Sequence, residues 1–172
     1  MLYVFGFDRV GIVLADLYFL DPNPAPGQEG AERGVRIELR RLELGAVQGS
    51  IYAARPIGID APMWRVDMLE RADGPAGSFD RTHHHPRCAD WEPDGRVFDP
   101  ELSADPVGWF EGRLQNIESV LDDARIDRSE LGPQDAENIR AAAPEIVASL
   151  RSLLHRVHEG SLAVASARVS WL

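Results

Sequence analysis

Hydrophobic and polar positions change period partway along the chain. Residues 10–20, VGIVLADLYFL, are rich in β-branched and aromatic types and predict a buried strand that stops at Asp21-Pro22. Residues 21–34 hold three prolines and three glycines, which predicts a loop. Strict alternation follows in VRIELRRLEL, residues 35–44. Val35, Ile37 and Leu39 point one way and Arg36, Glu38 and Arg40 the other, which predicts a strand with one wet face. A turn at 45–49 leads to a further strand expected at 50–59, ended by Asp60-Ala61-Pro62. Residues 63–69 predict another, with Trp64, Val66 and Met68 on one face and Arg65 and Asp67 on the other. A Gly-rich loop at 73–78 precedes a short extended piece at 79–85. Four or five strands on short connections imply a mostly antiparallel sheet.

The later part of the chain reads at helical period. Asp105-Pro106 is a helix start, with Asp as N-cap and Pro in the first turn. Phe110, Leu114, Ile117 and Leu121 follow as one apolar stripe. Ile139, Ala143, Ile146, Leu150, Leu153 and Val157 form a second stripe that Gly160 ends, and Pro144 inside it predicts a kink or two abutting helices. Residues 162–172 are expected to close as a final strand. The expectation is therefore a single α+β domain over 1–172: sheet and loops in 1–98, then mainly helix in 99–172, with two long C-terminal helices.

Composition narrows the chemistry. The 172 residues carry a formal charge of −10, and all 18 basic residues are arginine. Without lysine there is no Schiff base, no Walker-type phosphate-binding lysine and no Ser-x-x-Lys nucleophile. The acidity is uneven: residues 99–145 hold twelve acids against four arginines, so −8 of the −10 falls in the helical part. A uniformly basic nucleic-acid or membrane binder is excluded, whereas a local anion site is not. No stretch approaches the ~18 uncharged apolar residues of a membrane span. Asp8, Arg9 and Asp16 interrupt the apolar start, which has no basic leader, and a lone cysteine, Cys88, fits a reducing cytoplasm.

One segment, Phe79-Asp80-Arg81-Thr82-His83-His84-His85-Pro86-Arg87-Cys88, carries more chemistry than a loop needs. In an extended chain Arg81, His83 and His85 share a face, with Thr82 and His84 opposite. His83 and His85 suit chelation of one divalent metal, with Asp80, Cys88 or Asp90 completing the shell. They equally suit metal-free acid–base work on a phosphodiester, one imidazole accepting and one donating, with Arg81 or Arg87 stabilising charge. Arg65 and Asp67 on the preceding strand are placed to face the same pocket. Against both stands the plain alternative of loop histidines that bond only to backbone. Arg151, His155 and His158 share a stripe near the end of the last helix, where cations complement the helix dipole.

The run Phe79–Pro86, after a β-rich segment and before a helix, resembles TumE-type toxin proteins of bacterial toxin–antitoxin pairs, with Arg81 where that family carries Asn. The elements Trp91-Glu92-Pro93 and Arg96-Val97-Phe98-Asp99 are similar to those of uncharacterised actinobacterial proteins. The toxin resemblance implies an antitoxin partner and action on RNA or translation. Two function classes follow. One is a small hydrolase or nuclease-like enzyme using His83, His85, Arg81 and Asp80, either metal-free or with a divalent metal on His83, His85 and Cys88 as its cofactor. The other is a non-catalytic binding or assembly protein that meets a protein partner or a second copy through its amphipathic last helix or a sheet face.

Overall fold

The structure is a computed structural model that describes residues 1–160 and Leu162; the final strand expected at 162–172 otherwise lies outside the described residues. Five strands follow one another across an antiparallel sheet in chain order: β1 (Leu2–Gly6), β2 (Val10–Leu20), β3 (Ala31–Leu44), β4 (Ile57–Arg71) and β5 (His83–His85). A two-stranded piece, β6 (Cys88–Ala89) with β7 (Glu92–Pro93), follows. Then come α1 (Pro100–Ala104), α2 (Pro106–Gln115), α3 (Ile117–Ala124) and, after a short 3-10 turn, α4 (Asp135–His158). No described helix is long and apolar enough to cross a membrane.

Register sorts the side chains into two faces, because alternate residues of a strand point to opposite sides. Tyr3, Leu14, Ile37, Val66 and His84 stand in one row across all five strands. That row and its neighbours Ile12, Leu39, Val35 and Met68 meet the helices in one buried cluster. The six α4 stripe residues, Ile139 through Val157, are all buried there, and α4 runs as one helix through Pro144 rather than as two. The Phe110–Leu121 stripe is buried as expected but is shared by α2 and α3, which break at Asn116. Helix starts follow the aspartates. Asp99 accepts from the N–H groups of Glu101 and Leu102, Asp105 from Gly108. Fully buried Asp135 accepts from Asp8 and Arg9 in the β1–β2 turn and from Gly132, which ties α4 to the sheet.

Two expectations are corrected. Residues 50–56 are not a strand; β4 begins at Ile57 and continues through Asp60-Ala61-Pro62. Pro62 is tolerated because it falls at the register shift between Arg40 and Leu42 of β3, where the ladder is already interrupted. The polar face of β3 is also not wet, since Glu32 and Glu38 are 2% and 8% exposed.

Candidate metal centre

The face of the sheet away from the helices carries a second set of rows. Leu2, Ala15, Arg36, Asp67 and His83 lie across β1 to β5 in one, and Val4, Val13, Glu38, Arg65 and His85 in the next. The apolar end lies on β1 and β2, and the charged end lies on β3 to β5. Asp67 is thus flanked by Arg36 on β3 and His83 on β5, while Arg65 is flanked by Glu38 and His85. Pairing of β5 with β4 extends only over Arg65–Asp67, which is the stretch that matters.

Asp67, His83 and His85 are all buried, and one ligand atom from each lies within 4.8 Å of the others. His83 Nε2 and His85 Nε2 stand 3.5 and 3.7 Å from Asp67 Oδ2. The other ring nitrogens fix the tautomers. His83 Nδ1 is 2.7 Å from the carbonyl of Arg81, and His85 Nδ1 meets the carbonyl of Asp94. A carbonyl only accepts, so each Nδ1 carries a proton and donates it. Arg65 Nη2, itself only a donor, lies 3.0 Å from His85 Nε2, so His85 is neutral with that nitrogen as acceptor.

Arg36 grips the carboxylate with two hydrogen bonds, Nε to Oδ1 at 2.7 Å and Nη2 to Oδ2 at 3.2 Å. Arg65 Nε is 3.2 Å from Oδ2 but out of line, and makes no hydrogen bond. Burial pushes the Asp67 carboxyl up, but contacts with His83 and His85 and the charges of Arg36 and Arg65 outweigh it and hold it well below the usual carboxylate range. At 3.5 and 3.7 Å the imidazole contacts are long, and His85 Nε2 already accepts from Arg65, so the lowering rests chiefly on the bidentate Arg36. Burial drives the Arg65 guanidinium down, and Asp67 opposes it; at Arg36, Asp67 prevails over burial and the pKa rises.

A wider polar shell surrounds this group. Glu38 pairs with Arg40 at 2.8 Å, and Arg40 lies over the Trp91 ring. Glu32 is pushed up by burial against the pull of Arg96, and its Oε2 has no hydrogen-bond partner. Residues 86–98 lie beside the site. Phe98 packs against the His83 ring, and Val97 and His84 exchange backbone hydrogen bonds. His84 turns to the helix side and packs on Trp109; burial and Arg113 lower its pKa.

The other residues singled out by sequence lie elsewhere. Arg81 stays in step with His83 and His85, its N–H donating to the Leu69 carbonyl, but its side chain is buried and committed to the carbonyls of Gly27 and Glu29, pinning the loop before β3. Asp80 accepts from the Arg71 N–H and the Ser78 hydroxyl in a local turn. Cys88 is half-buried in β6, outside the Asp67–His83–His85 group, and burial pushes its thiol up to about 11, so the protonated form dominates. Asp90 is exposed. Sequence reasoning passed over Arg36, Glu38 and Glu32. Their signal was the alternation of β3, which places them on the Asp67 side.

Two imidazoles and one carboxylate leave coordination positions open, as catalytic rather than structural metal sites do. The carbonyls of Arg81 and Asp94 and the guanidinium of Arg36 are outer contacts of the kind that orient metal ligands. Comparisons of the chain with protein-family models, with curated proteins and with solved structures find no match.

Proposed function

We propose that this chain is a small hydrolase that works with a divalent metal held by Asp67, His83 and His85. The observation that carries the reading is that both Nδ1–H groups are committed to backbone carbonyls, so both Nε2 atoms face one buried carboxylate oxygen. A bound cation would supply Lewis acidity and an activated water. Asp67 keeps Arg36 on Oδ1 while Oδ2 serves as ligand. Arg65 must release His85 Nε2, and its freed charge then favours an anionic substrate. Arg36, Arg40 and Arg65 on this face, with Arg96 beside them, support an anionic ester such as a phosphodiester. That class agrees with the local resemblance of residues 79–86 to TumE-type toxins, which implies a protein antitoxin. The lone Cys88 agrees with a cytoplasmic setting.

The test is metal content together with turnover. Untagged protein dialysed against zinc, manganese or iron(II) is expected to retain one equivalent, and the His83→Ala/His85→Ala variant to retain none. Cleavage of bis(p-nitrophenyl) phosphate is expected to follow metal content. Folded wild-type protein that retains no metal overturns the reading, and so does cleavage that persists in the double variant. The binding-protein alternative loses its helix version, because the α4 stripe is spent in the core. Its sheet-face version has an observation of its own, developed next.

A further inference from the structure

We infer that the projecting end of the β3–β4 hairpin, with the apolar end of the open sheet face, is the surface on which two copies of this chain meet. β2 pairs with β3 only as far as Val10 opposite Arg41, whereas β3 and β4 continue through Leu42 opposite Ile59 and Leu44 opposite Ile57. Residues 42–59 therefore form a two-stranded arm. Its base is fixed: the Leu42 N–H donates to the Arg9 carbonyl, and its methyls lie so close over Gly6 and Gly11 that a Cβ there would come within 3.3 and 3.1 Å.

The arm is apolar and uncovered. Leu44, Ile57 and Ile59 are exposed on the face that Leu42 shares, and Leu2 and Val4 continue it on β1. At the tip Ile51 and Tyr52 are 89% and 91% exposed. No charged residue occurs between Glu43 and Arg55. Outside the arm, β5 pairs β4 only at Arg65–Asp67, so the β4 backbone from Ile57 to Ala61 has no strand on its outer side among the described residues. A bare apolar ribbon with an unpaired edge is what natural sheets avoid unless something covers it.

Charge selects a second copy as that cover. The chain carries −10, and −8 of it lies in residues 99–145 on the helix side. Two copies approaching through their helices repel. Meeting through the open faces puts the acidic layers outermost, about 30 Å apart at ~10 Å per layer, which is several Debye lengths at physiological salt. An antiparallel edge is also self-complementary about a two-fold axis, so an isologous pair needs no foreign surface. The inference does not depend on the metal reading.

Light scattering after gel filtration tests it on the full chain. Wild type is expected to run at twice the chain mass at micromolar concentration and above. Ile57→Glu and Ile59→Glu, at exposed positions, are expected to halve that mass without altering the far-UV spectrum, and to remove any dependence of the melting temperature on protein concentration; Ile51→Glu, at the tip, gives a second reading. A wild-type mass of one chain at every concentration overturns the inference. So does a dimer that survives all three substitutions, or a monomer that sediments with neutral phosphatidylcholine vesicles, which would assign the arm to a lipid surface.

Discussion

Asp67→Asn isolates the charge at the centre of the network while keeping its volume. The Asn carbonyl can still accept from Arg36 Nε, which is 2.7 Å from Oδ1. The amide NH2 then stands where Oδ2 stood, 3.2 Å from both Arg36 Nη2 and Arg65 Nε, so donors face donors. Removing one partner of a buried ion pair costs about 3–5 kcal/mol. The Arg36 side chain is 33% exposed and can be hydrated in place, which lowers the expectation to about 2–4 kcal/mol. For a chain of this length that is a fall in melting temperature on the order of 10 °C. Urea denaturation at neutral pH should show a lower midpoint at unchanged slope. The pH dependence has a definite sign. Asp67 is held below its unfolded pKa of about 3.9, so its stabilisation is complete above that value and is lost as pH falls through the lower folded value. The gap between wild type and variant should therefore hold constant down to about pH 5 and close in stronger acid. A neutral-pH gap under about 1 kcal/mol, or one unchanged into acid, would refute the assignment of Asp67 as the charge that binds β3 to β5.

Two further outcomes test the surroundings of the site. Gly34→Ala places a Cβ 2.0 Å from the Met68 carbonyl oxygen, a backbone atom held in the β3–β4 ladder, and should cost about 3 kcal/mol or more in urea titrations; a neutral substitution would show that the two strands are farther apart. Cys88, with its thiol pushed up to about 11, should be alkylated by iodoacetamide at mildly alkaline pH about a hundredfold more slowly than a free cysteine, and a free-cysteine rate would mean that β6 does not bury it.

How much of this was legible varies with the kind of signal. Alternation in β3 and in residues 63–69 sorted core from polar face correctly, because a period of two is fixed by strand geometry whatever surrounds it. The α4 stripe and the Asp105-Pro106 start were legible for the same local reason. Residues 50–56 misled because Ile51 and Tyr52 carry strand propensity without a neighbour to bury it. β1 went unrecognised and β5 is only three residues long; both exist through pairing with a distant segment, which no local pattern records. The convergence of His83, His85 and Asp67 was half legible. Strand parity aligned the two histidines, and the third group came from register. The carbonyls of Arg81 and Asp94 that set the imidazoles depend on where residues 79–98 fold back.

A net charge of −10 describes no surface of this molecule. The acids of residues 99–145 lie on the helix side, while the other sheet face interleaves Arg36, Arg40 and Arg65 with Glu38 and Asp67 and then gives way to an arm with no charge between Glu43 and Arg55. Polar alternation in β3 states which side chains share a face; it does not state that water reaches them. Burial of the face forces its charges to pair, and Asp67 acquires Arg36 and Arg65 as partners. Arg65 Nη2 occupies His85 Nε2, and one carboxylate facing two guanidinium groups leaves an excess positive charge, so on the proposed reading a divalent cation enters only by displacing Arg65 from His85 Nε2. On that proposal, metal binding and the freeing of an arginine for an anion would be one event. Arg65→Ala should accordingly tighten metal binding while weakening turnover of an anionic ester. A loss of both would mean that Arg65 builds the site rather than competing for it.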